Sequence, residues 1–181
     1  MGKISEALSP FHKDFILKQK MFFVATAPKG GLINLSPKGL DSFRILDDTS
    51  VLWLNLTGSG NETAAHLLED SRMTIMMNAF EGPPMILRLY GQARSIHPRD
   101  DEWLQYITMF EPSLAARQLI LLKVEKVMTS CGFGVPLMEY QGDREQLPKW
   151  ADKKGEEGVQ AYWREKNTVS LDGKPTGLFS D

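Results

Sequence analysis

MFFVATAPKGGLINLSP, residues 21–37, sets two apolar, partly alternating runs on either side of Pro28-Lys29-Gly30-Gly31. Glycine supplies the positive φ that a reversal between strands needs, so the stretch predicts a β-hairpin. A hairpin makes antiparallel neighbours, whereas parallel neighbours need a long crossover, usually a helix. Whichever connection dominates the chain decides the fold class.

Moving outward, the hairpin pattern recurs. FRIL (43–46) and SVLWLNL (50–56) flank Asp47-Asp48, where acidic residues are expected in a turn. RMTIMMNAF (72–80) and MILRLYGQARSI (85–96) flank Glu81-Gly82-Pro83-Pro84, and RQLILLKVEKVMTS (117–130) is a last long run. Helical patterns are fewer. Ser9-Pro10 reads as a cap and first residue before FHKDFILKQK. NETAAHLLED carries Ala64, Leu67 and Leu68 at helical spacing, and HPRDDEWLQYITMF reads as another helix. Six or seven strands joined mostly by hairpins predict a mainly β fold, an antiparallel β-barrel with peripheral α-helices.

Past Cys131 the chain turns rich in Gly, Pro and charge, with VQAYWREKN as one further helix. We therefore expect residues 1–135 to form the barrel domain with its N-terminal helix. Residues 136–181 are expected to be an extension that wraps the barrel or a partner subunit. Within the barrel, Met73, Ile75, Met76, Met77 and Phe80, with Met85, Ile86, Leu87 and Leu89, are apolar on both alternating faces. Such strands need cover on both sides, from local helices or from a second subunit.

Composition narrows the function classes. The 181 residues are 42% hydrophobic and 24% charged, with a formal charge of −2, which gives no reason to expect nucleic-acid or membrane-surface partners. A single cysteine leaves no intrachain disulfide, MGKISEALSPFHKDF lacks a signal peptide's apolar core, and no run is long enough to span a bilayer, so a cytoplasmic location is expected. His12, His66 and His97 lie far apart without a second ligand at metal spacing, so no metal site is expected. Cys131 reads as a packed thiol rather than a nucleophile, and no nucleophile elbow, Walker loop or dinucleotide glycine motif is present.

Two stretches remain that could carry chemistry. In TGSGNET (57–63), Thr57, Ser59, Asn61 and Thr63 can donate hydrogen bonds, while Gly58 and Gly60 admit close approach of a ligand to the backbone. The loop leads from a strand into a helix N-terminus, which suits an anion; equally, Ser59 or Asn61 could simply cap the helix. In NLSPKG (34–39), Asn34, Ser36 and Pro37 accompany one cation, Lys38, which reads either as a solvated turn lysine or as a partner for one phosphate.

FFVAT, NLSPKGLD, LTGSGNET, AFEGPPMILRLYG and SCGFGVP, in that order, resemble the FMN-binding split-barrel proteins of the pyridoxamine 5′-phosphate oxidase family, more closely its oxidase-related branch. YQGDREQLPKWADKKG and KNTVSLDGKPTGL also look typical of that branch. The resemblance covers roughly residues 15–135. It implies a six-stranded antiparallel split barrel that forms a homodimer, with FMN in each cleft between the subunits. Carried over by position, Asn34, Ser36, Pro37 and Lys38 match the flavin-lining strand end, and Thr57, Ser59, Asn61 and Thr63 match the phosphate loop. The match has gaps. The founding oxidases carry an Arg-Lys pair in the phosphate loop where SGNET has no cation, an arginine where Asn34 stands, and an arginine-containing C-terminal signature where this chain closes with TGLFSD.

The resemblance therefore implies an FMN-dependent oxidoreductase with an unidentified substrate, and no catalytic side chain is named. Arg88 and Arg94 on MILRLYGQARSI could face a pocket or a subunit boundary, but read more readily as solvated strand positions. The alternative, from another class, is a flavin-binding sensor or reservoir without turnover. A third possibility is that the same barrel holds haem or a deazaflavin; haem would need an axial ligand, and His66 reads instead as a surface or helix-packing residue.

Overall fold

The computed structural model describes residues 2–179, so the last two residues of TGLFSD lie outside the described part. The hairpin around Pro28-Lys29-Gly30-Gly31 forms: β2 (Phe22–Thr26) pairs antiparallel with β3 (Asn34–Lys38), from Phe22 opposite Lys38 to Thr26 opposite Asn34. Its connection is a seven-residue loop rather than a tight turn, because Leu32 and Ile33 leave the ladder and stay exposed. Before the hairpin come a short strand with no signal in the sequence, β1 (Lys3–Ser5), and α1 (Pro10–Lys18). Ser9 caps α1 by accepting from the His12 N–H at 3.3 Å, with Pro10 in the first turn.

The remaining elements follow in chain order: β4 (Phe43–Ile45), β5 (Ser50–Leu56), α2 (Glu62–Glu69), β6 (Arg72–Asn78), β7 (Ile86–Ile96), α3 (Trp103–Ile107), β8 (Ala116–Ser130) and α4 (Gln146–Lys166). All strands belong to one antiparallel sheet in the order β3-β2-β6-β7-β8-β5-β4, with β1 added beside β8. Six strands are five residues or longer; β1 and β4 have three each.

The sheet curls on itself into a split barrel. Strands β2 and β5 are separated by three strands along the sheet, yet the Phe22 and Trp53 rings lie 6.1 Å apart, edge to face. Alternation directs Val24, Val51, Ile75, Leu87, Leu89 and Leu122 into the enclosed core. Curvature needs local relief at β7–β8, where the register shifts between Tyr90 and Gly91. A Cβ on Gly91 would stand 1.9 Å from the Lys123 carbonyl oxygen, so only glycine lets the two backbones approach there.

The C-terminal helix is longer than VQAYWREKN. Its first turn takes in Pro148, which the missing intrahelical bonds of a first turn permit. Gly155, at φ 68° and ψ 171°, breaks α4 into two pieces. The second piece buries Val159 and Trp163 in a cluster with Ala115 and Leu178 beside Leu56. Arg99 donates to the carbonyls of Gly177 and Leu178 at 2.7 and 2.8 Å, tying the chain end to the turn after β7. Among the described residues no helix is long and apolar enough to cross a membrane.

Candidate functional site

Edge strand β3 and the loop between β5 and α2 face each other across a cavity of about 530 Å³. Strand alternation decides which β3 side chains reach it. Asn34, Ser36 and Lys38 share the half-buried face and line the cavity, while Leu35 and Pro37 are exposed on the other. Pro37 thus departs from the expected set, and its missing N–H is tolerated because β3 is an edge strand. It lines a separate, largely apolar groove between α1, the 79–85 turn and residues 129–147. Lys38 lines both spaces.

From the loop, Ser59, Asn61 and Thr63 line the cavity with Gly58, Gly60 and Glu62. Thr57 does not. It is buried beneath the loop, donating to the Ala115 carbonyl at 3.0 Å and accepting from the Trp163 indole at 2.8 Å. That hydroxyl fastens α4 under the loop and has no part in the cavity wall.

Neither candidate cap forms. Asn61 is the residue before α2, at φ −142° and ψ 43°, and makes no capping bond. Its amide turns inward instead, accepting from Asn55 at 3.3 Å and donating to Gln118 at 3.2 Å. Among the described residues none of the backbone N–H groups from Gly58 to Ala64 finds a hydrogen-bond partner. The carbonyls of the same loop are held: Gly58 accepts from Asn167 at 3.1 Å and Gly60 from Arg117 at 3.0 Å. Tied carbonyls and open N–H groups at a helix start are a donor-rich surface of the kind that takes an anion.

The cations complete it. Lys38 sits with its ammonium 5.0 Å from the centre of the Trp53 ring. Burial, then the nearby charge of Arg117, pushes its pKa down to about 8. Arg117 is 2% exposed, and burial brings its pKa down to about 10. Neither forms a salt bridge among the described residues. Two desolvated cations without a counter-charge are costly in a folded chain unless an anion joins them. The donor set therefore suits an anion such as a phosphate.

Sequence reasoning missed Arg117, and with it the fact that the cavity has more than one cation. The signal was a charged residue opening the apolar run RQLILL, where alternation leaves little room for a solvated arginine. Asn55, Lys166, Val169, Ser170 and Leu171 also line the cavity unannounced, the last four because the C-terminal segment folds back to its rim. Leu171 donates its N–H to the Glu62 carboxylate at 3.0 and 3.2 Å, and Lys174 pairs with Glu69 at 2.6 Å.

The other candidates lie elsewhere. His66 is buried with Nδ1 3.0 Å from the Thr26 hydroxyl and does not line the cavity. Arg94 pairs with Glu102 at 2.7 Å on the surface, and Arg88 donates to the Ser130 hydroxyl at 3.2 Å. Cys131, expected to be packed, is exposed.

The sequence profile described as pyridoxamine 5′-phosphate oxidase matches residues 8–131. The pyridoxamine 5′-phosphate oxidase family protein ustO of Aspergillus flavus is 38% identical over 195 residues, covering 97% of this chain and 77% of that one. Among solved structures, HupZ of Group A Streptococcus superposes with a TM-score of 0.55 at 19% identity, over 67% of this chain and 98% of its own. A pyridoxamine 5′-phosphate oxidase-related, FMN-binding protein of Nostoc punctiforme superposes with a TM-score of 0.52 at 18% identity, over 69% and 85%. Identities this low speak for the fold alone.

Proposed function

The chain belongs to the pyridoxamine 5′-phosphate oxidase family, and from that premise we propose that it binds FMN and works as a flavin-dependent oxidoreductase on a small molecule not yet identified. The observation that carries the reading is the run of N–H groups from Gly58 to Thr63, unpartnered among the described residues, on a cavity that also holds Lys38. Flavin binding is the coarser property that family membership supports, and the single-phosphate cradle is what favours FMN.

Each wall would have its own task. The loop N–H groups, with the positive end of the α2 dipole behind them, would hold phosphate oxygens. Lys38 would add a fixed charge, and Asn34 and Ser36 would offer neutral donors further along β3. Asn34 already reaches across to the Thr63 hydroxyl at 3.4 Å, so it bridges the two walls. Bound flavin supplies the electron-transfer chemistry; the protein orients it and limits access to it. No side chain of the cavity is assigned as acid or base.

The apolar groove that shares Lys38 with the cavity supports a homodimer in which a second copy closes the cleft. Phe11 and Leu17 of α1, with Met138 and Tyr140, line it and are each more than 40% exposed. Single exposed apolar residues are ordinary; a contiguous set on a groove marks an interaction surface.

Reduction of the flavin-loaded protein by NADH or NADPH, together with an assay of pyridoxamine 5′-phosphate oxidation, tests the activity. Turnover in either supports an enzyme. A loaded protein that neither accepts electrons from these donors nor oxidises pyridoxamine 5′-phosphate would point to a flavin store or sensor instead.

A further inference from the structure

Resting on that flavin reading, we infer that Arg117 is a phosphate-binding cation of this site, supplied by strand β8 in place of one on the loop, and that Asn167 holds it in position. The loop sequence SGNET contains no cation, so the charge opposite a phosphate must come from neighbouring elements. Arg117 comes from the strand that pairs with β5, directly beneath the loop that β5 feeds.

Its hydrogen bonds are few for its capacity. A guanidinium has five N–H donors. Here both recorded bonds run from Nη1, to the Gly60 carbonyl at 3.0 Å and to the Asn167 side-chain oxygen at 2.6 Å. The Nε–H is buried and has no partner among the described residues, although the residue lines the cavity. Holding two neutral oxygens needs only a neutral amide. A full charge kept out of water for that purpose alone would be a net cost.

The balance of charge around the cavity points the same way. Lys38 and Arg117, neither in a salt bridge among the described residues, stand on the cavity with one carboxylate, Glu62, which already accepts the Leu171 N–H, whereas Lys166 is paired with Glu165 at 2.8 Å. A phosphate monoester carries about −1.5 to −2 at neutral pH, which complements that surplus. Arginine also suits phosphate by shape, since its planar fork can offer two parallel donors.

Asn167 is the positioning residue. It is fully buried at the end of α4, accepts from Arg117, donates to the Gly58 carbonyl and has its own carbonyl capped by the Thr176 hydroxyl at 2.7 Å. The C-terminal segment thereby sets both the guanidinium and the loop.

The test compares FMN with riboflavin, which lacks the phosphate, as ligands of the full-length chain and of Arg117→Gln, Arg117→Lys and Asn167→Ala. The wild type should prefer FMN. Arg117→Gln should cut that preference by about 10–100-fold, the worth of a hydrogen bond to a charged group, while leaving riboflavin affinity nearly unchanged. Arg117→Lys, which keeps the charge, should recover part of the preference, and Asn167→Ala should lose part of it. Should Arg117→Gln fail to fold, Arg117→Lys and Asn167→Ala decide by the same ratio. An unchanged ratio in the folded Arg117 variants, or equal losses for both ligands, overturns the assignment while leaving flavin binding intact. A wild type that binds neither ligand removes the flavin reading and this assignment with it.

Discussion

Lys38 is the residue on which burial, charge and alternation converge. With its pKa pushed down to about 8, chiefly by burial, its ammonium loses its proton just above neutrality. An anion favours the charged form, so FMN affinity should be full below about pH 8 and fall as pH rises through it. Lys38→Arg should flatten that profile over the same range, and Lys38→Ala should cost roughly 1–3 kcal/mol of binding near neutral pH. Titration of FMN between pH 6.5 and 9.5 checks both; a wild-type profile as flat as that of Lys38→Arg would show that this ammonium does not meet the phosphate. At this scale the sequence spoke clearly where alternation applied. Asn34, Ser36 and Lys38 are two apart and share a face, and the same rule sends Pro37 to the opposite one. Thr57 was harder to read: nothing local told of the Trp163 indole, 106 positions away, that takes up its hydroxyl.

Among the elements, the loop and α2 depend on what lies beneath them. Asn61 links Asn55 to Gln118, and Asn61→Ala would leave buried amides unpaired. The variant should lose about 1–3 kcal/mol of folding stability as well as FMN affinity, to be measured by urea melts beside ligand titration. A loss of affinity with no loss of stability would place the Asn61 amide on the ligand rather than in the fold. Trp163→Phe keeps most of the packing and removes only the bond to Thr57, so it should cost about 1 kcal/mol, whereas Trp163→Ala should cost about 3–5 kcal/mol. Equal costs would mean that the hydrogen bond, not the packing, anchors α4. Apart from β1, the strands were legible because their runs are apolar or alternating and bounded by turn residues. Helix α4 was not, because its first piece, QLPKWADKKG, buries only Ala151 and so carries little apolar periodicity.

On the scale of the whole molecule, the antiparallel order follows from the hairpins, but curling of the sheet depends on contacts such as Phe22–Trp53 that no local pattern announces. The return of the C-terminal segment to the cavity rim is likewise a long-range event that no local pattern announces. Global stability should depend on pH through His97, buried in the turn after β7 with its pKa pushed down to about 4 by burial and then by Arg99. Its unfolded form binds a proton near pH 6.5 while the folded form resists it, so stability is complete above that pH and falls as pH drops towards 4. The loss should approach roughly 3 kcal/mol, and His97→Gln should show a smaller one in denaturant melts at pH 7 and pH 4.5. A wild type equally stable at both would contradict the burial of a neutral imidazole. If a second copy covers the exposed apolar groove beside Lys38, light scattering on a sizing column should give the mass of two chains; a monomer at micromolar concentration would remove the two-subunit cleft.

The most direct measurement is to incubate the purified full-length chain with excess FMN, desalt it and record its visible absorbance against protein concentration. The cradle of open N–H groups and cations predicts one FMN retained per chain, and a reduced amount for Lys38→Ala. A preparation that comes off the column colourless would contradict it.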